Sequence, residues 1–407
     1  MRISTNTLFE MGSGKLGTLQ AAMLKTQQQI STNLRIQSPS DDPVAAASAL
    51  GVNQAISVNS QFSINRQNAT SALNQQESIL ASVTSLLQST KDIVVAAGNS
   101  TINDEDRQTY VTQLKSKFDE LMGLANTRDA RGDYIFGGYQ TASKPFTVSA
   151  TGASYTGDQG QRMLQVGPTR QLAVSDSGSA VFESGKTGNG VFATAANAAN
   201  TGSGVISPGA VSDTSQLNGH SYTLTFSVDA VTGATTYLVN ESPAAVPPVS
   251  PAAQTYTSGQ AITVNGQQFD ISGVPADGDS FTIEPSKSQS VFTTLQDLIN
   301  TLSVPGAGNP GQSRQANGLS AASSNIDNAL ASVSAVRTTI GSKLNEIDSL
   351  ESTGSDLKIQ YTKTLSDLQD IDPIEAYSLF TQQQLTLTAA QKSFITISGL
   401  SLFNMLK

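Results

Sequence analysis

Four places along the chain hold residue types that do chemistry in other settings. Gly185-Lys186-Thr187 has the ending of a phosphate-binding loop, in which glycine backbone cradles a phosphate and the lysine and hydroxyl reach it. Such a loop needs a glycine five positions before Gly185, and Ala180 stands there. No suitable helix pattern follows, so a β-turn is expected. Gly202-Ser203-Gly204 is equally bare, without strand–helix context. Asp277 and Asp279 offer a carboxylate pair or calcium ligands, but they flank Gly278 without EF-hand spacing and read as a solvated turn. His220 stands beside Gly219 ahead of a strand pattern, where a surface turn is expected.

Composition narrows the chemistry further. Among 407 residues there is no cysteine, no tryptophan and one histidine. Thiol nucleophiles, disulfides, thiolate zinc sites and Ser-His-Asp triads therefore lose their parts. An enzyme would have to work with carboxylates alone, and no pair stands out. No catalytic residue, metal ligand or cofactor site is assigned. Charged residues are 14% of the chain, and 32 acids against 23 bases leave a net charge of −9. Such a surface repels phosphate, so nucleic acid is not an expected partner. Residues 1–7 carry a positive charge but no apolar run of signal-peptide length, and no stretch reads as a membrane span. The expectation is a cytosolic chain, unless it leaves the cell by another route.

The elements that would position a site are helical at both ends. Leu16, Leu19, Met23, Thr26, Ile30 and Asn33 alternate spacings of three and four, with Leu34 beside the last, which is a heptad seam. Its other positions are glutamine, serine and threonine, and between Leu16 and Leu34 the only charge is Lys25. The seam is expected to stop at Ser38-Pro39-Ser40-Asp41-Asp42-Pro43. Pro39 would break the helix, Asp42 would cap a second, and Pro43 suits its first turn. That second helix is expected to reach Ala97, with Ile79, Val83, Leu86, Thr90, Ile93 and Ala97 on one stripe, widened by Leu73, Leu80, Leu87 and Val94. At 1.5 Å per residue it would be about 80 Å long, too long for a globular core. A third helix is expected from Asn103, with Asp104, Glu105 and Asp106 at its positive end, stopping at Gly132.

The far end mirrors this pattern. A short helix near 291–302 is followed by a Gly/Pro loop and a long helix from about Arg314. Ile326, Val333, Ile340, Leu344, Ile347, Tyr361, Leu365 and Leu368 share one heptad phase, with Gly354 a weak spot. Asp370-Ile371-Asp372-Pro373 is a second cap-and-proline break, and a last helix runs to Leu406. Between Ser143 and Ser288 helix signals vanish. Alternation in 222–228 and the turns Asn265-Gly266 and Asp277-Gly278 indicate a β-sandwich or barrel-like insert. The fold class is therefore mainly α with an all-β insert: a long antiparallel coiled-coil bundle made by both chain ends. Three parts are expected. Residues 1–40 with 373–407 form a terminal assembly domain, 41–142 with 289–372 a long-helix rod, and 143–288 the outward insert.

The terminal helices carry the functional signal. A helix with amides and hydroxyls where charges normally sit gains nothing from that in water. It gains where every exposed face meets another copy, because like charges would then be juxtaposed and desolvated. From Ala376 through Leu406 the only charge is Lys392, and the last turns are apolar on every side. The expected assembly residues are Leu16, Leu19, Met23, Ile30 and Leu34 at one end, with Phe394, Ile395, Leu402, Phe403 and Leu406 at the other.

Several segments together resemble the flagellar hook-associated protein 3 family, hook–filament junction proteins of the flagellin superfamily. They are Met1-Arg2-Ile3-Ser4-Thr5 with Phe9, residues 30–36 running into Ser38-Pro39-Ser40-Asp41-Asp42-Pro43-Val44-Ala45-Ala46, and residues 131–138 with Tyr134, Phe136 and Gly137. Asp372 with Glu375-Ala376 and Ser401-Leu402-Phe403-Asn404-Met405-Leu406 complete the set. Tyr155-Thr156-Gly157-Asp158 and the stretch from Gly259 to Asp279 resemble inserts of the family less distinctively. The resemblance implies an inner coiled-coil layer of terminal helices in a tubular helical assembly, with the β insert outward. It implies partners: hook-associated protein 1, flagellin, further copies in a helical ring, an export chaperone and the flagellar type III export apparatus. It implies export unfolded, without a cleaved signal peptide, to an extracellular flagellum, and no membrane or nucleic-acid partner. Flagellin itself is the alternative within the superfamily. An extracellular glycan-binding module on a coiled-coil stalk is the alternative outside it, and would need exposed aromatics or a clustered acid pair in the insert.

Overall fold

The computed structural model describes residues 5–99, 102–243 and 252–405. Among the described residues seven α-helices run in chain order: α1 Thr5–Thr32, α2 Pro43–Ala97, α3 Asp104–Ala125, α4 Gly178–Phe182, α5 Val291–Ser303, α6 Gly308–Gln369 and α7 Pro373–Met405. The chain forms two compact units, residues 1–65 with 349–407 and residues 66–348. Both unit boundaries fall inside α2 and α6, whereas the sequence reading placed them at the Asp-Pro breaks.

Helix ends follow local chemistry, with three departures from expectation. First, α1 does not run to Pro39. It stops at Thr32 because Asn33 takes a left-handed backbone, φ 59°. Leu34 is thus off the helix, in a β-bridge with Asp370. Second, α3 stops at Ala125, seven residues before Gly132. Asn126 folds back, its Nδ2 donating to Met122 O at 2.8 Å and to Phe146 O at 3.1 Å. Third, α6 starts at Gly308 rather than Arg314 and passes through Gly354 unbroken. Gly354 is buried, and its carbonyl accepts from Asn59 Nδ2 at 2.7 Å. The start of α3 is as expected: Asn103 accepts from Asp106 N at 2.8 Å in a capping box.

In residues 66–348, α2 and α6 bury the predicted stripes. Leu73, Leu80, Leu87, Val94, Ile326, Val333, Ile340 and Ile347 are all inside. Arg337 clamps Glu77 Oε1 from Nε (2.9 Å) and Nη2 (2.6 Å). The sequence reading found no membrane span, yet α2 is long and apolar enough to cross one by length and composition. Its apolar stripe faces the protein's own interior, which accounts for that composition.

Fifteen strands lie among the described residues of the middle. Three short ribbons pair β1 Phe146–Ser149 with β2 Gly152–Tyr155, β3 Met163–Gln165 with β4 Gln171–Ala173, and β5 Gly185–Lys186 with β15 Ser288–Gln289. The remaining strands are β6 Phe192–Ala196, β7 Val205–Ile206, β8 Ala210–Val211, β9 Ser221–Val228, β10 Thr235–Ser242, β11 Gln254–Thr255, β12 Ala261–Val264, β13 Gln267–Ser272 and β14 Ser280–Pro285. They make a five-stranded sheet in the order β11-β10-β9-β14-β6 and a four-stranded one in which β13 pairs β12, β7 and β8. Phe192, Leu224, Phe226, Phe269, Ile271, Phe281 and Ile283 form one core for both. The Asn265-Gly266 turn joins β12 and β13 with both residues at positive φ, as its chemistry requires.

Residues 143–182 pack elsewhere. Phe146 stacks with Phe182, Tyr155 and Phe292 at centroid distances of 5.0–5.4 Å, and Phe292 meets Phe118 of α3 at 5.8 Å. This aromatic cluster belongs with α3 and α5. The sandwich proper begins beyond the β5–β15 ribbon, where Lys186 pairs with Ser288 and Gly185 with Gln289. That ribbon is its neck.

Candidate assembly surface

The terminal unit is organised by two Asp-Pro elbows. Asp42 caps α2, its Oδ1 accepting from Ala45 N at 3.0 Å, and Pro43 takes the first helical position. Asp372 caps α7 in the same way, accepting from Ile374 N at 2.8 Å ahead of Pro373. The elbows are joined by backbone: Arg35 N donates to Gln369 O at 2.7 Å and Ile371 N to Asn33 O at 3.3 Å. Arg35 Nη2 also donates to Leu368 O at 2.8 Å, satisfying one of the open carbonyls at the end of α6. Asp41 accepts from Lys25 Nζ at 2.6 Å and from Gln37 N and Ser38 N at 3.1 and 3.0 Å. The Lys25 bond, then the two backbone donors, hold its carboxyl down to about 2. The Ser38–Pro43 motif is therefore a hydrogen-bonded turn. Asn33, Arg35 and the role of Lys25 were missed from sequence, although a charge isolated among amides is a signal that could have been read.

Beyond the elbows α1 and α7 lie side by side, antiparallel. Phe9 and Phe394 meet at 5.1 Å between centroids at one end, and Leu34 bridges Asp370 at the other. Between residues 373 and 397 of α7 the side chains withdrawn from solvent are Ala376, Phe380, Gln383, Leu387, Ala390 and Phe394. Their spacing of four and three is a heptad seam. On α1 the matching positions are Gly12, Leu16, Leu19, Met23, Thr26 and Ile30. The predicted seam is thus the face α1 turns to α7 within one chain, with Gly12 as an extra member. Leu16, Leu19, Met23, Ile30, Leu34 and Phe394 are half-buried there, whereas Ile395 is exposed. Leu406 lies outside the described residues, as do the side chains of Leu402 and Phe403.

A second apolar stripe, unread from sequence, faces away. On α7, Ile374, Tyr377, Leu385 and Ile395 are exposed, as are Met11 and Leu24 of α1. Leu385 is 72% exposed, while Leu387, two residues on, is 7% exposed. No charged residue stands on α7 between Glu375 and Lys392. Such a helix has two apolar faces, and α1 covers one of them.

The remaining sequence candidates are structural. Tyr134 and Phe136 are buried, with the Arg128 guanidinium 4.3 Å over the Tyr134 ring. Gly137 is needed for a close approach, since a Cβ there would sit 2.7 Å from Gln140 O. Gly185 and Lys186 form the neck strand, and Gly202 and Gly204 pack against the sandwich core and its loops. The expected solvated turn at Asp279 is instead a buried clamp. Its carboxylate accepts from Thr201 N, Gly202 N and Ala276 N at 2.8–3.0 Å, tying the loop before β7 to its own loop before β14. Asp277 accepts from Val228 N at 3.1 Å. His220 Nδ1 lies 2.7 Å from Glu241 Oε1, a bond that holds the Glu241 carboxyl below its usual range. A cleft of about 670 Å³ runs between β6 and α6, lined mainly by Ala, Ser, Thr, Asn and Gly. Its Lys287 is paired to Glu284, and Arg314 donates to Ala198 O.

Likeness to known proteins bears on what this surface is for. The family model for the bacterial flagellin N-terminal helical region matches residues 3–141. Flagellar hook-associated protein 3 of Escherichia coli is 28% identical over 408 residues, covering all of both chains. The crystal structure of the flagellar junction protein FlgL from Legionella pneumophila superposes with a TM-score of 0.71 at 31% identity, covering 79% of this chain and 100% of that one. Flagellin of Bacillus subtilis is similar over a narrower span, 26% identical across 34% of this chain.

Proposed function

The chain belongs to the flagellar hook-associated protein 3 family, structural flagellar proteins rather than enzymes, and on that premise we propose that it joins hook to filament by polymerising through its terminal helices. Residues 1–40 with 373–407 act as the assembly domain, in contact with further copies in a ring. Hook-associated protein 1 lies on one side and flagellin on the other. The chain reaches that place unfolded through the flagellar type III export apparatus, handed over by a chaperone and without a cleaved signal peptide. The reading of flagellin itself is less favoured, because that likeness spans about a third of the chain.

The observation that carries the proposal is the second apolar stripe. Ile374, Tyr377 and Leu385 are exposed on a helix whose other face is covered by α1. Burial of such a face between copies supplies the drive for assembly. Leu385→Asp places a carboxylate on the open stripe, where it stays hydrated in the free chain and is desolvated only between copies. The variant is expected to melt like the parent and to be secreted, yet to yield hooks without filaments by electron microscopy. Leu387→Asp should instead loosen the α1–α7 pair within the free chain. Normal filaments with Leu385→Asp would overturn the proposal.

A further inference from the structure

We infer that Gly12 sets the register of the α1–α7 pair, and thereby how the exposed apolar residues of the two helices line up for other copies; this second half rests on the assembly reading above.

Glycine is a poor helix former, and α1 carries three, Gly12, Gly14 and Gly17. Two of them have no steric reason to be glycine, since a Cβ at Gly14 or Gly17 would meet nothing within 4 Å. At Gly12 a Cβ would lie 2.7 Å from both Cδ2 and Cε2 of Phe394. The ring of Phe394 therefore rests on bare helix backbone, held also by Phe9.

That contact and the Leu34–Asp370 bridge are the two fixed ends of the pair. Counting inward from Gly12 and Phe394, the antiparallel register places Leu16 opposite Ala390, Leu19 opposite Leu387, Met23 opposite Gln383, Thr26 opposite Phe380 and Ile30 opposite Ala376. Both phenylalanines face a small residue, and two alanines face large ones. A slip of one heptad in one direction stacks Leu19 on Phe380; in the other it stacks Leu19 on Phe394. In either slip Phe394 loses its glycine. Overpacking of that kind disfavours a helix pair as strongly as a cavity does. A heptad slip keeps the same face of α7 inward but carries its exposed Ile374, Tyr377 and Leu385 about 10 Å along α1, out of line with Met11 and Leu24.

The chain has no cysteine, so disulfide mapping reads the register directly in the full-length protein. Leu16→Cys with Ala390→Cys tests the observed register, and Leu16→Cys with Gln383→Cys tests the slipped one. Under mild oxidation the first pair should close within one chain and the second should not. Adding Gly12→Leu to the first pair should bring its yield down to that of the second, and adding Phe394→Ala as well should restore it. Circular dichroism melts of each full-length variant control for general unfolding. Equal closure of the two pairs, or a 16/390 yield indifferent to Gly12→Leu, overturns the inference. Filament assays with Gly12→Leu alone then test the second half. A strain whose chain closes in the wrong register and still builds filaments would leave register to Gly12 but remove its link to assembly.

Discussion

Lys25 Nζ donates to Asp41 Oδ1 at 2.6 Å, linking α1 to the turn that starts α2. The same carboxylate accepts two backbone N–H groups, so its folded pKa falls to about 2 from an ordinary 3.8. A depressed carboxyl stabilises the folded form fully above its unfolded pKa, and that stabilisation is lost as pH falls through the folded value. The elbow should hold unchanged down to about pH 4 and loosen between there and about pH 2. Asp41→Asn should weaken that dependence, leaving the part carried by Asp42, whose carboxyl is also held down by the Ala45 N–H and by Arg35. Proteolysis between α1 and α2, followed across pH with an acid-active protease, checks both.

Arg35→Ala should cost about 1 kcal/mol, the ordinary value of one hydrogen bond to a partly exposed group. Its Nη2 bond to Leu368 O closes α6, and Arg35→Lys cannot reproduce it together with the Nη1 contact to Asp42. Urea melts of the purified chain should show Arg35→Lys close to Arg35→Ala. Full rescue by lysine would mean that charge alone matters there.

Asp279→Ala should cost roughly 1–3 kcal/mol and act on the sandwich alone, because three part-buried backbone donors lose their buried acceptor at once. Near-ultraviolet circular dichroism of the sandwich tyrosines reports it. The helical signal should melt as before.

Replacing residues 188–286 by Asn-Gly should leave a soluble, folded remainder. Thr187 and Lys287 already face each other, Thr187 N donating to Lys287 O at 3.0 Å, so the turn would close an existing ribbon. Removing 150–285 should fail, since it takes Tyr155 and Phe182 out of the cluster around Phe146 and Phe292. The two deletions, compared by sedimentation and thermal melts, locate the true boundary. The outcome to watch is whether the smaller deletion also keeps filaments.

Much of this was legible in the order of residues. The α1 seam, the α2 stripe, the Asn103 cap, both Asp-Pro breaks and the β zone all follow from spacings within one or two turns of helix or strand. Each depends on chemistry that a short window contains.

What the window does not contain was decided by tertiary structure. Asn33 ends α1 early because its carbonyl and the N–H of Arg35 find Ile371 and Gln369, residues more than three hundred positions away. Asp279 is a clamp because Thr201 and Gly202 are brought to it. Gly12 matters because of Phe394, and Leu385 differs from Leu387 only through where α1 lies. Periodicity tells which residues share a face. Which of two apolar faces is already covered depends on the sizes and hydrogen bonds of a distant segment, and those meet only once the chain is folded.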